Sequence, residues 1–495
     1  MKHTLILFAN LLLAPLAALQ AADSGKPNIL VILADDLGQM DIGCYNPKTF
    51  YETPNIDSLA KRGMRFTQGY AACSVCSPTR GSIMTGKYPP RFGITNWIPG
   101  GRSGKLLSAP NAVHLALEEV TIAEALRDGG GYATFFAGKW HLGGGDFYPG
   151  AQGFDMGRNV GAGKEGHAPS LERNPQFFYQ FFYPKSNLPV PNYKDDPKTT
   201  QRIVNEAVKF IGEHKDKPFF AYLPFLAVHF PCAARDAVVA KYQEKAKSAP
   251  ADAWGREGKN KVRLVQNYPP YAAMLEELDS GIGRVIEAVE KNGLTERTII
   301  VFMSDNGGLS TAEGQPTSNL PLRGGKGWPY EGGVREPMIV VASGLTKPGS
   351  TCDSLVISTD FYPTLLQLAG LELQPQQHLD GVSFVPLLKG EAMQRGQPLF
   401  WHYPHYSNQG GPPNGVIRDG DWKLIEWYED GTLELYNIPQ DISEQHNLAT
   451  QQPDKVKELH AKLVTWRKEV GALMPTPNPK FDPNAKPDAE TPKKK

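Results

Sequence analysis

Cysteine is scarce, with five in 495 residues. That is too few for a disulfide scaffold, and the odd number leaves at least one thiol with a duty other than intramolecular pairing. Net charge is absent too: 52 Lys+Arg stand against 52 Asp+Glu. Proteins that grip nucleic acid through its phosphates carry a basic excess, so no nucleic-acid partner is expected. Past the N-terminus no apolar run reaches the ~20 residues of a spanning helix, so no stable membrane insertion is expected. No internal repeat is present. In abundance are glycine, 50, and proline, 42, which imply many turns and long functional loops. Hydrophobic residues make up 40%, enough for a sizeable core and too many for a wholly disordered chain.

The N-terminus has the three parts of an export signal. Lys2 and His3 give a basic start, Thr4 to Leu19 is almost wholly apolar, and Ala21 and Ala22 are small. The apolar run is short and contains Pro15, which favours a signal cleaved near Ala21 or Ala22 over a membrane anchor. No cysteine near that point offers a lipid attachment. Residues 1–21 are therefore expected to be removed, leaving a periplasmic or secreted protein.

Further on, apolar strands alternate with helices. Asn28 to Leu33 reads as a buried parallel strand. Further strands are expected over 132–137, 219–223, 298–303 and 338–342, and helices from Thr53-Pro54, over 120–126 and over 271–292. The alternation predicts an α/β fold, a doubly wound, mostly parallel sheet flanked by helices, over residues 22–375. Residues 376–474 read as a smaller α+β subdomain with antiparallel strands over 415–427 and 433–438 and a helix over 453–470. Residues 475–495, rich in Pro, Lys and Asp, read as a disordered tail.

Ligands of open α/β sheets bind at the carboxyl ends of the strands. Asp35 and Asp36 follow the first strand, and Asp305-Asn306-Gly307-Gly308 follows the strand ending at Met303. Adjacent carboxylates repel, so this pairing is costly without a cation. An all-oxygen donor set suits Ca²⁺ or Mg²⁺ rather than Zn²⁺. Taken singly, each segment also reads as a helix cap or a turn. Cys73-Ser74-Val75-Cys76 has the spacing of a redox pair or half a zinc site. It lacks both a thioredoxin-like context and a second cysteine pair.

The local pattern Cys76-Ser77-Pro78-Thr79-Arg80, with Thr85-Gly86 shortly after, resembles the motif that marks a cysteine for oxidation to Cα-formylglycine in type I sulfatases, members of the alkaline-phosphatase-like superfamily. Gly138-Lys139-Trp140-His141-Leu142-Gly143, Ala227-Val228-His229-Phe230-Pro231, Ser304-Asp305-Asn306-Gly307-Gly308 and Leu322-Arg323-Gly324-Gly325-Lys326 follow in the family's order. The resemblance spans roughly residues 27 to 450. It implies Ca²⁺ held by Asp35, Asp36, Asp305 and Asn306 beside the formylglycine of Cys76. Arg80 would order that nucleophile. Lys139 and Lys326 would meet the sulfate oxygens, His229 would protonate the leaving oxygen, and His141 would take a proton from the covalent intermediate. It also implies a sulfated small molecule or glycan as substrate, with resemblance to relatives acting on sulfated galactose or N-acetylgalactosamine. A formylglycine-generating enzyme would act before export.

Two other readings stay open at this point. One is a phosphodiesterase or phosphonate monoester hydrolase on the same fold. The other is a catalytically dead glycan-binding protein, against which Cys76 and the Asp pair are intact. His402 and His405, within Phe400-Trp401-His402-Tyr403-Pro404-His405-Tyr406, suit either sugar recognition or a packed seam between domains.

Overall fold

The computed structural model describes residues 25–157 and 198–482. The expected signal segment and residues 483–495 of the expected tail lie outside the described residues. In chain order the strands are β1 (Asn28–Ala34), β2 (Met64–Tyr70), β3 (Leu106–Leu107), β4 (Ala133–Phe136), β5 (Met156–Gly157), β6 (Phe219–Pro224), β7 (Trp254–Glu257), β8 (Asn260–Arg263) and β9 (Thr298–Ser304). Then come β10 (Arg335–Val341), β11 (Ser350–Cys352), β12 (Val356–Ile357), β13 (Leu399–Tyr403), β14 (Asn414–Asp419), β15 (Trp422–Trp427), β16 (Leu433–Asn437) and β17 (Thr476–Pro477).

Nine strands form the main sheet in the order β11-β2-β10-β9-β1-β6-β4-β5, with β12 also on β2. β1 is parallel to both neighbours, β6 and β9. β10 runs antiparallel to β9 and β2. Every residue of β1, β6 and β9 is buried. Such continuous apolar runs are what a sheet covered on both faces requires. One face packs on a helix over Pro269–Lys291 and another over Lys198–Glu213. The other face packs on Ile122, Tyr362, Leu365 and their neighbours.

The C-terminal subdomain is the antiparallel meander β13-β14-β15-β16, covered by a helix over Pro453–Glu469. Its core is shared: Tyr70, Tyr88, Trp328 and Tyr330 of the large part pack with Trp401, Ile425 and Trp466 of the small one. The tail expectation needs one correction. Thr476–Pro477 pairs with Leu106–Leu107 as an added strand, and Asn478 N–H donates to Lys105 O at 3.1 Å. Backbone pairing overrides the polar composition there. No helix among the described residues is long and apolar enough to cross a membrane.

Candidate active site

Parallel register decides which residues meet. Ala34 lies opposite Ser304, Leu33 opposite Pro224, and Phe136 opposite Tyr222. The segments beyond β1, β4, β6 and β9 therefore emerge along one edge. Main-chain bonds continue past the strands: Asp305 N–H donates to Ala34 O at 3.1 Å, Val228 N–H to Asp35 O at 2.8 Å, and Lys139 N–H to Pro224 O at 2.8 Å. Gly138 is needed for that last contact. Its φ is 140°, and a Cβ there would stand 1.9 Å from Pro224 O. Asp36 and His141 both hold left-handed φ, 61° and 58°, a strain of about 1–3 kcal/mol each that clusters at functional sites.

Cys76 begins a helix over Cys76–Thr85, with Val75 at the cap and all ten helical residues buried. Arg80 lies four residues on, so it faces the same way. Its Nε and Nη2 reach Asp305 Oδ2 at 2.8 and 2.6 Å, and Nη1 donates to Lys139 O at 2.6 Å. Lys139 Nζ meets Asp35 Oδ2 at 2.5 Å, and Lys326 Nζ meets Asp36 Oδ2 at 2.8 Å. Lys326 is set against Cys76 by a loop contact, since Gly327 N–H donates to Ser74 O at 2.8 Å. Burial pushes the Asp35 carboxyl up, but Lys139, His229 and Arg80 override it and hold it well below the usual carboxylate range. Burial likewise opposes the Lys326 ammonium, and Asp36 outweighs it, keeping that group charged. Burial pushes the Cys76 thiol up to about 12, so an unmodified thiol is neutral here.

The two histidines are in defined tautomers. A carbonyl oxygen only accepts, so His141 Nε2, 2.7 Å from Ile98 O, carries the hydrogen. Burial and then Lys139 hold its pKa well below the ordinary value, and the neutral ring carries its lone pair on Nδ1. His229 Nδ1 donates to Phe230 O at 2.5 Å, which leaves Nε2 to accept from Lys326 Nζ at 2.9 Å. Burial and then Lys326 lower its pKa.

A divalent cation fits this cluster. Ligand atoms of Asp35, Asp36, Cys76 and His229 lie within 4.8 Å of one another. Asp35 Oδ1 and Asn306 Oδ1 are buried without a hydrogen-bond partner. A buried oxygen left so costs about 1–3 kcal/mol, which coordination would offset. Three carboxylates, from Asp35, Asp36 and Asp305, face three cations, from Arg80, Lys139 and Lys326. A divalent ion would therefore leave the crevice positive, as an anionic substrate requires.

All ten residues that the sequence assigned to catalysis and metal binding are thus gathered in one crevice. His402 and His405 are not. His402 is 4% exposed, its Nδ1 accepting from Tyr428 OH at 2.7 Å and its Nε2 donating to Leu473 O at 3.0 Å. His405 is 1% exposed, with Nε2 against Thr95 Oγ1 at 2.8 Å. Both are consumed by packing in the seam, which corrects the sugar-contact reading. Sequence reasoning missed the supports of the site. Ser77 Oγ accepts from Ile98 N–H at 3.1 Å, fixing the carbonyl that orients His141. Trp328 Nε1 donates to Gln409 O at 3.0 Å, tying the Lys326 loop to the subdomain. No local pattern marks such long-range pairs.

Oxygen donors and a ring of cations at the carboxyl edge of a mostly parallel sheet define a hydrolase of the alkaline-phosphatase-like class, acting on an anionic ester. Residues 27–371 match the family described as sulfatase, and residues 325–469 match the N-sulphoglucosamine sulphohydrolase C-terminal family. A sulfatase of Formosa agariphila is 33% identical over 94% of this chain and 93% of its own. Human arylsulfatase A is 34% identical over 84% of this chain and 77% of its own. The solved structure of Ps i-CgsB in complex with k-i-k-neocarrahexaose superposes with a TM-score of 0.70 at 29% identity, covering 89% of this chain and 92% of that one. The chain belongs to the sulfatase family, and its reaction is the hydrolysis of sulfuric esters.

Proposed function

We propose that the ester is a sulfated carbohydrate, that Cys76 is matured to Cα-formylglycine, and that Asp35, Asp36, Asp305 and Asn306 hold one Ca²⁺ beside it. The observation that carries this reading is the burial of Cys76 at a helix start among oxygen ligands, two of them unsatisfied, within the linear pattern Cys76-Ser77-Pro78-Thr79-Arg80. The aldehyde hydrate would supply the nucleophile that a neutral, buried thiol does not, and the cation would polarise a sulfate oxygen. The carbohydrate half is supported by the relative solved with k-i-k-neocarrahexaose. Among the relatives compared, the sulfatase names favour sulfur over phosphorus as the reacting centre.

The protein's own groups divide the work. Arg80 holds Asp305 and neutralises the cluster behind the nucleophile. Lys139 and Lys326 are point charges for the sulfuryl oxygens. The Lys326–His229 pair stands on the leaving-group side, where His229, once protonated at Nε2 from solvent, would give that proton to the departing oxygen while the Lys326 ammonium stays charged. His141 holds a lone pair at Nδ1 for the proton that must leave on the other side. Maturation by a formylglycine-generating enzyme would precede export to the periplasm or medium. Mass spectrometry of the Cys76 peptide from active, exported protein tests the reading: an aldehyde or its hydrate is expected, and a free thiol in fully active enzyme overturns it.

A further inference from the structure

Directly after His229, Phe230 is a large apolar side chain left 37% exposed. It is backed by Gly314: a methyl at that glycine would stand 2.9 Å from the Phe230 ring. Gly314 is the centre of a left-handed run, with φ of 52° at Glu313, 88° at Gly314 and 42° at Gln315. Glycine adopts such angles freely, whereas Glu and Gln must be held there, and strain of this kind collects at ligand clamps. Here the holding groups are visible. Arg263 Nε donates to Gln315 O at 2.5 Å, and Gln409 Nε2 donates to Glu313 Oε1 at 2.9 Å. Gln409 is itself buried, and its Oε1 would be 2.7 Å from a methyl on Gly327, the neighbour of Lys326. The Glu313 carboxylate is therefore braced against the turn that carries Lys326, and its charge is felt at the Lys326 ammonium.

We propose that Phe230 and Glu313 form the subsite for the alcohol half of the ester, and that Glu313 selects a hydroxyl-rich sugar with no second anionic group beside the scissile sulfate. The proposal rests on the placement of His229 at the leaving oxygen, because Phe230 is its chain neighbour. An aromatic face packs against the C–H face of a sugar ring. A carboxylate accepts hydrogen bonds from sugar hydroxyls, and strongly, because it is ionised. The same charge repels a neighbouring carboxylate or sulfate. In the damped dielectric of a crevice, that repulsion amounts to roughly tenfold in binding.

The test uses the matured enzyme and three probes: nitrophenyl sulfate, monosulfated N-acetylgalactosamines, and the 4,6-disulfated sugar. Wild-type kcat/KM, scaled to nitrophenyl sulfate, is expected to favour the monosulfated sugar over the disulfated one. Glu313→Gln should cut that preference about tenfold, Glu313→Asp should retain it, and Phe230→Ser should raise KM for the sugars. An unchanged preference in Glu313→Gln, or a wild-type preference for the disulfated sugar, overturns the subsite while the sulfatase reading stands. Absence of turnover on every sulfate ester by matured enzyme overturns both readings together.

Discussion

Asp35 at the edge of the parallel sheet and Glu331 at the seam with the C-terminal sheet are both 0% exposed, and both face lysine. At the seam, Lys423 Nζ meets Glu331 Oε1 and Glu444 Oε1 at 2.9 Å each, while Tyr70 OH donates to Glu331 Oε2 at 2.8 Å. Burial raises the Glu331 carboxyl, and Lys423 with Arg335 overrides it, drawing it down to about 2. These charges are spent on one another. In the crevice, Asp35 Oδ1 and Asn306 Oδ1 stay unsatisfied next to Cys76. The seam holds two parts of the molecule together, and the crevice keeps buried oxygens that a cation would satisfy.

The contrast is broken most sharply at Cys76. Cys76→Ala should abolish turnover, by at least ~10⁴-fold, because a covalent nucleophile has no substitute, while thermal stability stays near wild type. Kinetics and a melting curve on the same preparation check this. Asp305→Asn comes next. It should release the bound calcium, read by elemental analysis, and lower kcat/KM by about 10³-fold or more, since a Lewis acid supplies several kcal/mol to the transition state. Stoichiometric zinc in the wild type would contradict the donor-set argument.

The third effect lies between the histidines. His229→Ala should cost ~10²–10⁴-fold on a sugar sulfate and much less on nitrophenyl sulfate, whose leaving oxygen needs little protonation. His141→Ala should cost both substrates alike. A leaving-group series on each variant decides this, and equal losses for His229→Ala across the series would move the acid role elsewhere.

On the seam side, Lys423→Met should leave Glu444 without its cation and Glu331 with Arg335 but no lysine. It should cost about 3–5 kcal/mol of stability, with little change in kcat of the folded enzyme, as read by denaturant titration and initial rates. The last effect, about 1.4 kcal/mol per pH unit for one histidine, is one of pH. Burial pushes His402 down to about 4 and His405 down to about 3. Below the unfolded value of about 6.5 the unfolded chain binds protons that the folded one refuses, so stability falls on acidification from ~6.5 towards ~4, by ~1.4 kcal/mol per pH unit for each histidine. His402→Gln should remove one such increment from the slope.

Much of the candidate site was legible because its pattern is local. Cys76 to Arg80 is one helical turn, and Asp35, Asp36, Asp305 and Asn306 each follow a strand whose apolar run announces itself. His402 and His405 stayed open between sugar contact and seam because an imidazole among aromatics reads alike in a binding face and in a seam. Only the partners, Tyr428, Leu473 and Thr95, tell them apart. Glu313 drew no notice because its strain is a property of backbone angles that side-chain identity does not encode.

The sequence by itself determined the strand and helix alternation and, through motifs that resemble those of the sulfatases, the family, since these rest on residue type and on spacings within a few positions. Tertiary structure alone decided the rest. It brought Asp35 and Asp305 together at one sheet edge, chose the tautomers of His141 and His229 through single carbonyl contacts, folded Thr476–Pro477 onto Leu106–Leu107, and separated spent charges at the seam from unspent ones in the crevice. Satisfaction of a buried polar group depends on partners hundreds of residues away in the chain, and only packing supplies or withholds them.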